Sequence, residues 1–269
     1  MIPVQQAFDP ARWGGKAMPG QDELPCSDGE PMETLFHDAQ DALLKDTLIE
    51  AWAERRDFFV GGNCFVCFSA HQLRSNDFRG PDVLVVLDVD GSKERKSWVA
   101  WEEGGRLPDV VIEVTSESTA HVDRGEKMRI YSQIWRTSAY FIFDPETEQL
   151  EGFERDSTGR NYVPLPRDDN GDFTVAALGL KLGLRQTAYR QFSRRFVRWL
   201  DTAGQALPTA RERAETERTR AETERTRADA ERTRADAERT RAETERTRAD
   251  AERTRADELQ ARLRALEEK

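Results

Sequence analysis

The sequence predicts a mixed α/β globule followed by one long, solvent-bathed helix. Three observations predict it. Short apolar runs with strand-like alternation occur at residues 81–89, 107–115 and 139–145. Stretches with helical spacing lie before and between them, at 33–56 and 123–135. From Arg211 onward the composition collapses to Arg, Glu, Asp, Ala and Thr with few apolar residues. The chain has 269 residues, 37% hydrophobic and 34% charged. That is too polar for a globule of the full length, so the core must be built by roughly the first 200 residues.

Residues 1–30 are rich in Gly, Pro and Asp and read as an irregular arm. Residues 31–200 read as the globular domain. ETLFHDAQDALLKDTLIEAWAER, from Glu33, carries apolar residues at 35, 36, 39, 43, 44, 48, 51 and 52, a helical stripe. FFVGGNCFVCFS reads as a strand or hairpin. PDVLVVLDV is a strand, and a charged loop, GSKERKSWVAWEEGGR, leads to the strand PDVVIEVTS. Asp123 to Trp135 reads as a helix. AYFIFDP is a strand stopped by Asp-Pro, and LEGFER with RNYVPLP follows as an edge pair. QTAYRQFSRRFVRWL, 186–200, reads as an amphipathic helix before the break at Pro208.

The tail, residues 209–269, repeats RA(E/D)(T/A)ERT every seven residues, six times, from Arg213 through Thr254. Residues 208–269 hold 16 Arg and 1 Lys against 17 Asp and Glu, so the formal charge of −10 belongs to the globular part. A period of seven points to a coiled coil. Leu259, Leu263 and Leu266 start such a seam, but traced backward it meets Ala249, Ala242, Glu252 and Glu245, a poor core. Repeated Arg–Glu pairs at i,i+3 and i,i+4 can hold a helix that is polar all round. The reading is a charged helix with weak self-association at its leucine end. It serves either as a spacer or oligomerisation arm, or as an expanded low-complexity repeat.

Some chemistries drop out. Cys26, Cys64 and Cys67 make no disulfide framework, and the C-x-x-C at 64–67 lacks a second ligand pair. His37, His71 and His121 form no ligand-spaced pair. No nucleophile elbow, P-loop or dinucleotide fingerprint is present. No run reaches the ~18 apolar residues of a membrane span, and the N-terminus has no signal-peptide core. The expectation is a cytoplasmic protein.

Two carboxylates carry the chemistry. On the 109–115 strand, Val110, Ile112 and Val114 share one face, and Asp109, Val111, Glu113 and Thr115 the other. An ionised Glu113 between Ile and Val is costly unless it is paired or binds a metal. Asp82 heads the preceding strand, and adjacent strands would let it converge with Glu113. Two hard oxygen ligands suit Mg²⁺ or Mn²⁺. Lys127, on the next helix, can swing back to the same end of the sheet. The plain alternative is a buried Glu113–Lys127 pair with no chemistry. Asp109 fits a turn or cap role as well as ligation. Trp98 and Trp101 either pin the charged loop or touch a ligand.

These motifs, in order, carry a resemblance. PDVLVV, LPDVVIEVTSEST, the D-x-x-x-K-x-x-x-Y spacing of Asp123, Lys127 and Tyr131, and AYFIFDP resemble the Uma2 family of the PD-(D/E)XK nuclease superfamily. SDGEPM, WVAWEEG and LEGFER…YVPLP match as well, so the likeness spans roughly residues 25–185. It implies a restriction-endonuclease-like mixed β-sheet flanked by helices and a metal-dependent endonuclease acting on DNA. Asp82 and Glu113 would be the two motif acids, joined at a divalent metal by the Val114 carbonyl. The lysine usually two residues after the second acid is absent, Thr115 standing there, and Lys127 from the following helix would replace it. Glu33 would be a further, first-helix ligand. Enzymes of this kind often dimerise, through the nuclease domain or here through the C-terminal helix. The negative charge of the globule counts against easy DNA binding. Arg124, Lys127 and Arg129, and Arg190, Arg194, Arg195 and Arg198, are the candidate basic patches. A retired nuclease fold serving as a binding module is the alternative.

Overall fold

A computed structural model describes residues 18–24, 34–69, 72 and 80–267. The chain divides into two compact units, residues 1–210 and 211–269.

The first unit opens with helix α1 (Leu35–Ala51). Thr34 caps it by accepting a hydrogen bond from the His37 amide. Strands β1 (Phe58–Gly61), β3 (Val83–Leu87), β5 (Val110–Val114), β6 (Ala139–Asp144), β7 (Gln149–Arg155) and β8 (Tyr162–Pro164) form a six-stranded sheet in the order β1-β3-β5-β6-β7-β8. Only β5 and β6 are parallel, and their crossover is a helical run over 120–135, here α2. Much of α2 is π-helical, at Asp123–Lys127 and Ile130–Trp135. The residues expected as a strand or hairpin at 58–69 split between sheets. β2 (Val66–Cys67) leaves β1 and pairs in parallel with β4 (Trp98–Val99) from the charged loop.

The central sheet is covered on both faces, which is why β5 is buried throughout. Val110, Ile112 and Val114 pack with α1, whereas Val111 packs with Ile130, Tyr131 and Tyr140 beneath α2. The two faces read from the alternation are the faces that fold.

The structure overturns the helix expected at 186–200. Residues there belong to a hairpin of β10 (Leu180–Tyr189) and β11 (Phe192–Leu200), paired from Lys181↔Leu200 to Tyr189↔Phe192 and extended by β9 (Phe173–Val175). Leu178, Leu180, Leu182 and Leu184 alternate into it, and the aromatic, Val and Thr content suits strands. The turn is Arg190-Gln191, with Arg190 at φ 50°, and carries none of the Gly or Asn that announces a hairpin. The hairpin docks on α1 through backbone. Gln40 donates to the Val197 carbonyl at 3.0 Å and accepts from the Val197 amide at 2.9 Å, and the Trp199 indole donates to Leu44 O at 3.0 Å.

The second unit is helix α3 (Ala210–Glu267), 58 residues long and solvent-exposed on all sides where its side chains are described. Arg218–Glu222 and Arg220–Glu224 pair along it at 3.1 and 3.2 Å. No described helix is long and apolar enough to cross a membrane.

Candidate active site

Glu113 points from the middle of β5 into the layer beneath α2, and every polar atom it offers is taken. Its Oε1 accepts from the Tyr131 hydroxyl at 2.7 Å. Its Oε2 lies 3.0 Å from the Lys127 ammonium and 3.4 Å from the Asp82 amide. Asp123 holds Lys127 from the other side at 2.8 Å. Asp123, Lys127 and Tyr131 follow each other at four-residue intervals on α2, so one helix delivers all three to a single buried carboxylate. Irregular π turns of this kind are frequent at functional sites.

Asp82 sits just before β3, the strand antiparallel to β5. Its Oδ2 accepts from the Val114 amide at 2.7 Å. The backbone fit is close: a Cβ on Gly62 would stand 1.8 Å from the Asp82 carbonyl, so only glycine lets the chain pass there. Asp82, Glu113, Lys127 and the Val114 backbone therefore meet at one end of the sheet. Glu33, His71 and Cys26 lie outside the described residues.

One acid was missing from the sequence reading. Asp41, on α1, is 1% exposed and is tied to the start of β3 through Asn63, whose backbone amide donates to the Pro81 carbonyl at 2.8 Å. Asn63 donates to its Oδ2 at 2.9 Å, while Oδ1 is buried with no hydrogen-bond partner. The signal was available: Asp41 falls four residues after His37 and three before Leu44, on the buried side of the helix.

Burial raises the pKa values of these acids. Burial pushes Asp82 up to about 7, with the Asp41 charge adding to it. Burial pushes Glu113 up to about 8 against the pull of Lys127, and Asp41 to about 7. Lys127 is shifted upward, because the charges of Glu113 and Asp123 outweigh its burial.

The sign of the pH dependence follows. Unfolded carboxylates titrate near 4, so between about pH 4 and pH 8 the folded protein binds more protons than the unfolded chain. Stability must fall as pH rises through that window. Lys127 stays protonated across it in both states and does not alter the slope. Urea midpoints measured in EDTA are expected to drop by an amount equivalent to a few kcal/mol between pH 5 and pH 8, at about 1.4 kcal/mol per unit of pKa displacement. A flat profile would mean that these acids are not buried together.

Other candidates are structural. Asp109 accepts from the Leu87 amide at 2.8 Å, a tie between β3 and the start of β5. Trp98 and Trp101 donate to the Arg106 and Pro19 carbonyls and pin the loop. Arg124 pairs with Glu151. Arg190 pairs with Asp38, Arg194 stacks on Phe36, and Arg198 is 2% exposed. The late basic patch is therefore largely spent on packing.

A cation fits the chemistry of this place. No three His, Cys, Asp or Glu side chains among the described residues already stand as a metal cluster. Asp82 and Glu113 nevertheless adjoin, the Asp82 amide reaching Glu113 Oε2, as two hard oxygen donors of the kind a divalent cation takes.

A mixed sheet with a parallel β5–β6 pair, helices on both faces and an acid pair at one end defines a restriction-endonuclease-like protein. The profile of the family Uma2, "Putative restriction endonuclease", matches residues 23–189, more than half of the chain, and the protein belongs to that family. A search of curated proteins returned no match.

Proposed function

We propose that the protein is a divalent-metal-dependent endonuclease that hydrolyses phosphodiester bonds of DNA. The observation that carries this reading is the convergence of Asp82 just before β3, Glu113 on β5 and Lys127 on α2 at one largely buried spot. Asp82, Glu113 and the Val114 carbonyl would hold Mg²⁺ or Mn²⁺, with Asp41 the first-helix acid best placed to join them. Glu33, expected in that role, lies outside the described residues. When bound, the cation supplies Lewis-acid polarisation of the phosphate and a lowered pKa for an attacking water.

The chain's own groups do the rest. Tyr131 locks the Glu113 carboxyl by holding Oε1, which leaves Oε2 toward Asp82 and Lys127. Asp123 fixes the Lys127 ammonium, which keeps 18% of its side chain exposed and can present N–H to a phosphate oxygen. Dry walls of Val111, Tyr131 and Tyr140 keep the local dielectric low, so that each charge acts strongly.

A second reading, a nuclease fold kept for binding alone, is favoured by the charge of −10 and by the spent arginines. Supercoiled plasmid incubated with purified protein in Mn²⁺, Mg²⁺ and EDTA separates the two. Nicking in metal and none in EDTA is expected. Metal-independent, salt-sensitive retention of DNA without nicking would favour binding alone.

A further inference from the structure

The tail helix carries two columns of charge that match each other across a second copy of the chain. Written in heptads with Thr216 at position a, every e position from Arg220 to Arg255 is Arg: 220, 227, 234, 241, 248 and 255. Every g position from Glu222 to Asp257 is acidic: 222, 229, 236, 243, 250 and 257. Between the columns the a and d positions hold only Thr or Ala, running Thr219, Thr223, Thr226, Ala230, Thr233, Ala237 and on at the same spacing to Thr254. This is a different face from the leucine seam. In this register Leu259, Leu263 and Leu266 fall at b and f.

We infer that α3 pairs with α3 of a second copy, parallel and in register, along this face. In a parallel pair each g residue faces the e residue five positions later on its partner. Glu222 then meets Arg227 of the second copy, Asp229 meets Arg234, and the match repeats to Asp250 with Arg255. An antiparallel pair would set Arg against Arg and acid against acid, so the charge columns fix the orientation. A stagger of one heptad preserves the charge match but shortens the overlap of the two helices by seven residues, so full register covers the most of this face.

The face between the columns can be covered without stranding polar groups. Thr219, Thr223, Thr226 and Thr233 each turn the hydroxyl back onto the carbonyl four residues earlier, at 2.8–2.9 Å. Those hydroxyls are already satisfied, and the methyl groups remain for packing. The intrahelical Arg218–Glu222, Arg220–Glu224, Arg227–Glu231 and Arg248–Glu252 pairs do not remove the match. They are solvent-exposed and run Arg before Glu, the weaker order on a helix.

The test uses the full chain in sedimentation equilibrium at low and high salt. One variant carries Arg227→Glu, Arg234→Glu and Arg241→Glu together, so both columns become acidic over three heptads. Its complement carries Glu222→Arg, Asp229→Arg and Asp236→Arg, so both become basic there. The wild type is expected to dimerise, more weakly as salt rises. Each variant alone should associate at least tenfold more weakly, and an equimolar mixture should recover the wild-type dimer. Recovery in the mixture excludes a loss caused by a melted helix. The inference is overturned if the wild type stays monomeric at all concentrations while circular dichroism reports the full helix. It is equally overturned by a dimer that both variants leave intact, or by one that disappears when the chain is cut after Asp257, which would place association at the leucine end.

Discussion

Glu113→Gln is expected to abolish metal-dependent nicking while leaving the protein at least as stable as the wild type. The two effects share one origin. Glu113 is fully buried beside Asp82, and its pKa near 8 means that the fold tolerates the neutral form more readily than the charged one. Glutamine keeps the shape and can still accept from Tyr131, it resembles the protonated acid that burial favours, and Lys127 keeps its pairing with Asp123. What it cannot do is act as an anionic ligand. Loss of several kcal/mol of transition-state charge stabilisation, at about 1.4 kcal/mol per tenfold, corresponds to roughly a thousandfold in rate. Parallel nicking assays and urea melts of the two proteins, purified identically, measure both sides. Equal nicking by variant and wild type would remove Glu113 from the chemistry.

Lys127→Ala should do the opposite to stability. Its ammonium is the cation shared by Glu113 and Asp123, and removing one partner of a buried pair typically costs about 3–5 kcal/mol. The loss depends on pH. Below the folded pKa of Glu113, that acid takes up a proton and no longer needs a counter-charge, so the loss at pH 6 is expected to be much smaller than at pH 9. Denaturation of wild type and variant at the two pH values gives the difference directly. A loss independent of pH would show that Lys127 does not neutralise Glu113. Nicking by the variant near pH 6, where it remains folded, then reports on the ammonium's own part in catalysis.

The parts of this site that the sequence revealed are those where periodicity and chemistry conflict. A Glu on the inner face of an apolar strand is expensive, so Glu113 announced itself. Lys127 followed, because a helix leaving that strand is the nearest source of a cation. Asp41 stayed hidden because a helix rich in Asp offers many acids, and only tertiary packing decides which of them is enclosed. The 186–200 segment misled for a related reason. Its apolar residues satisfy a helical wheel and a strand face about equally, and its Arg190-Gln191 turn carries no glycine or asparagine. The alternating leucines upstream, Leu178 to Leu184, were the better guide. The β2–β4 pairing was invisible, since two-residue strands carry no period at all.

The tail has a further property that belongs to its repeats rather than to any residue. Each seven-residue unit advances the helix by about 10.5 Å and returns nearly the same face. Gain or loss of a whole unit therefore changes reach without changing chemistry, whereas any other insertion rotates one charge column away from the next. The helix behaves as a ruler with fixed graduations. Its length, close to 87 Å for 58 residues at about 1.5 Å each, is set by the number of repeats it carries.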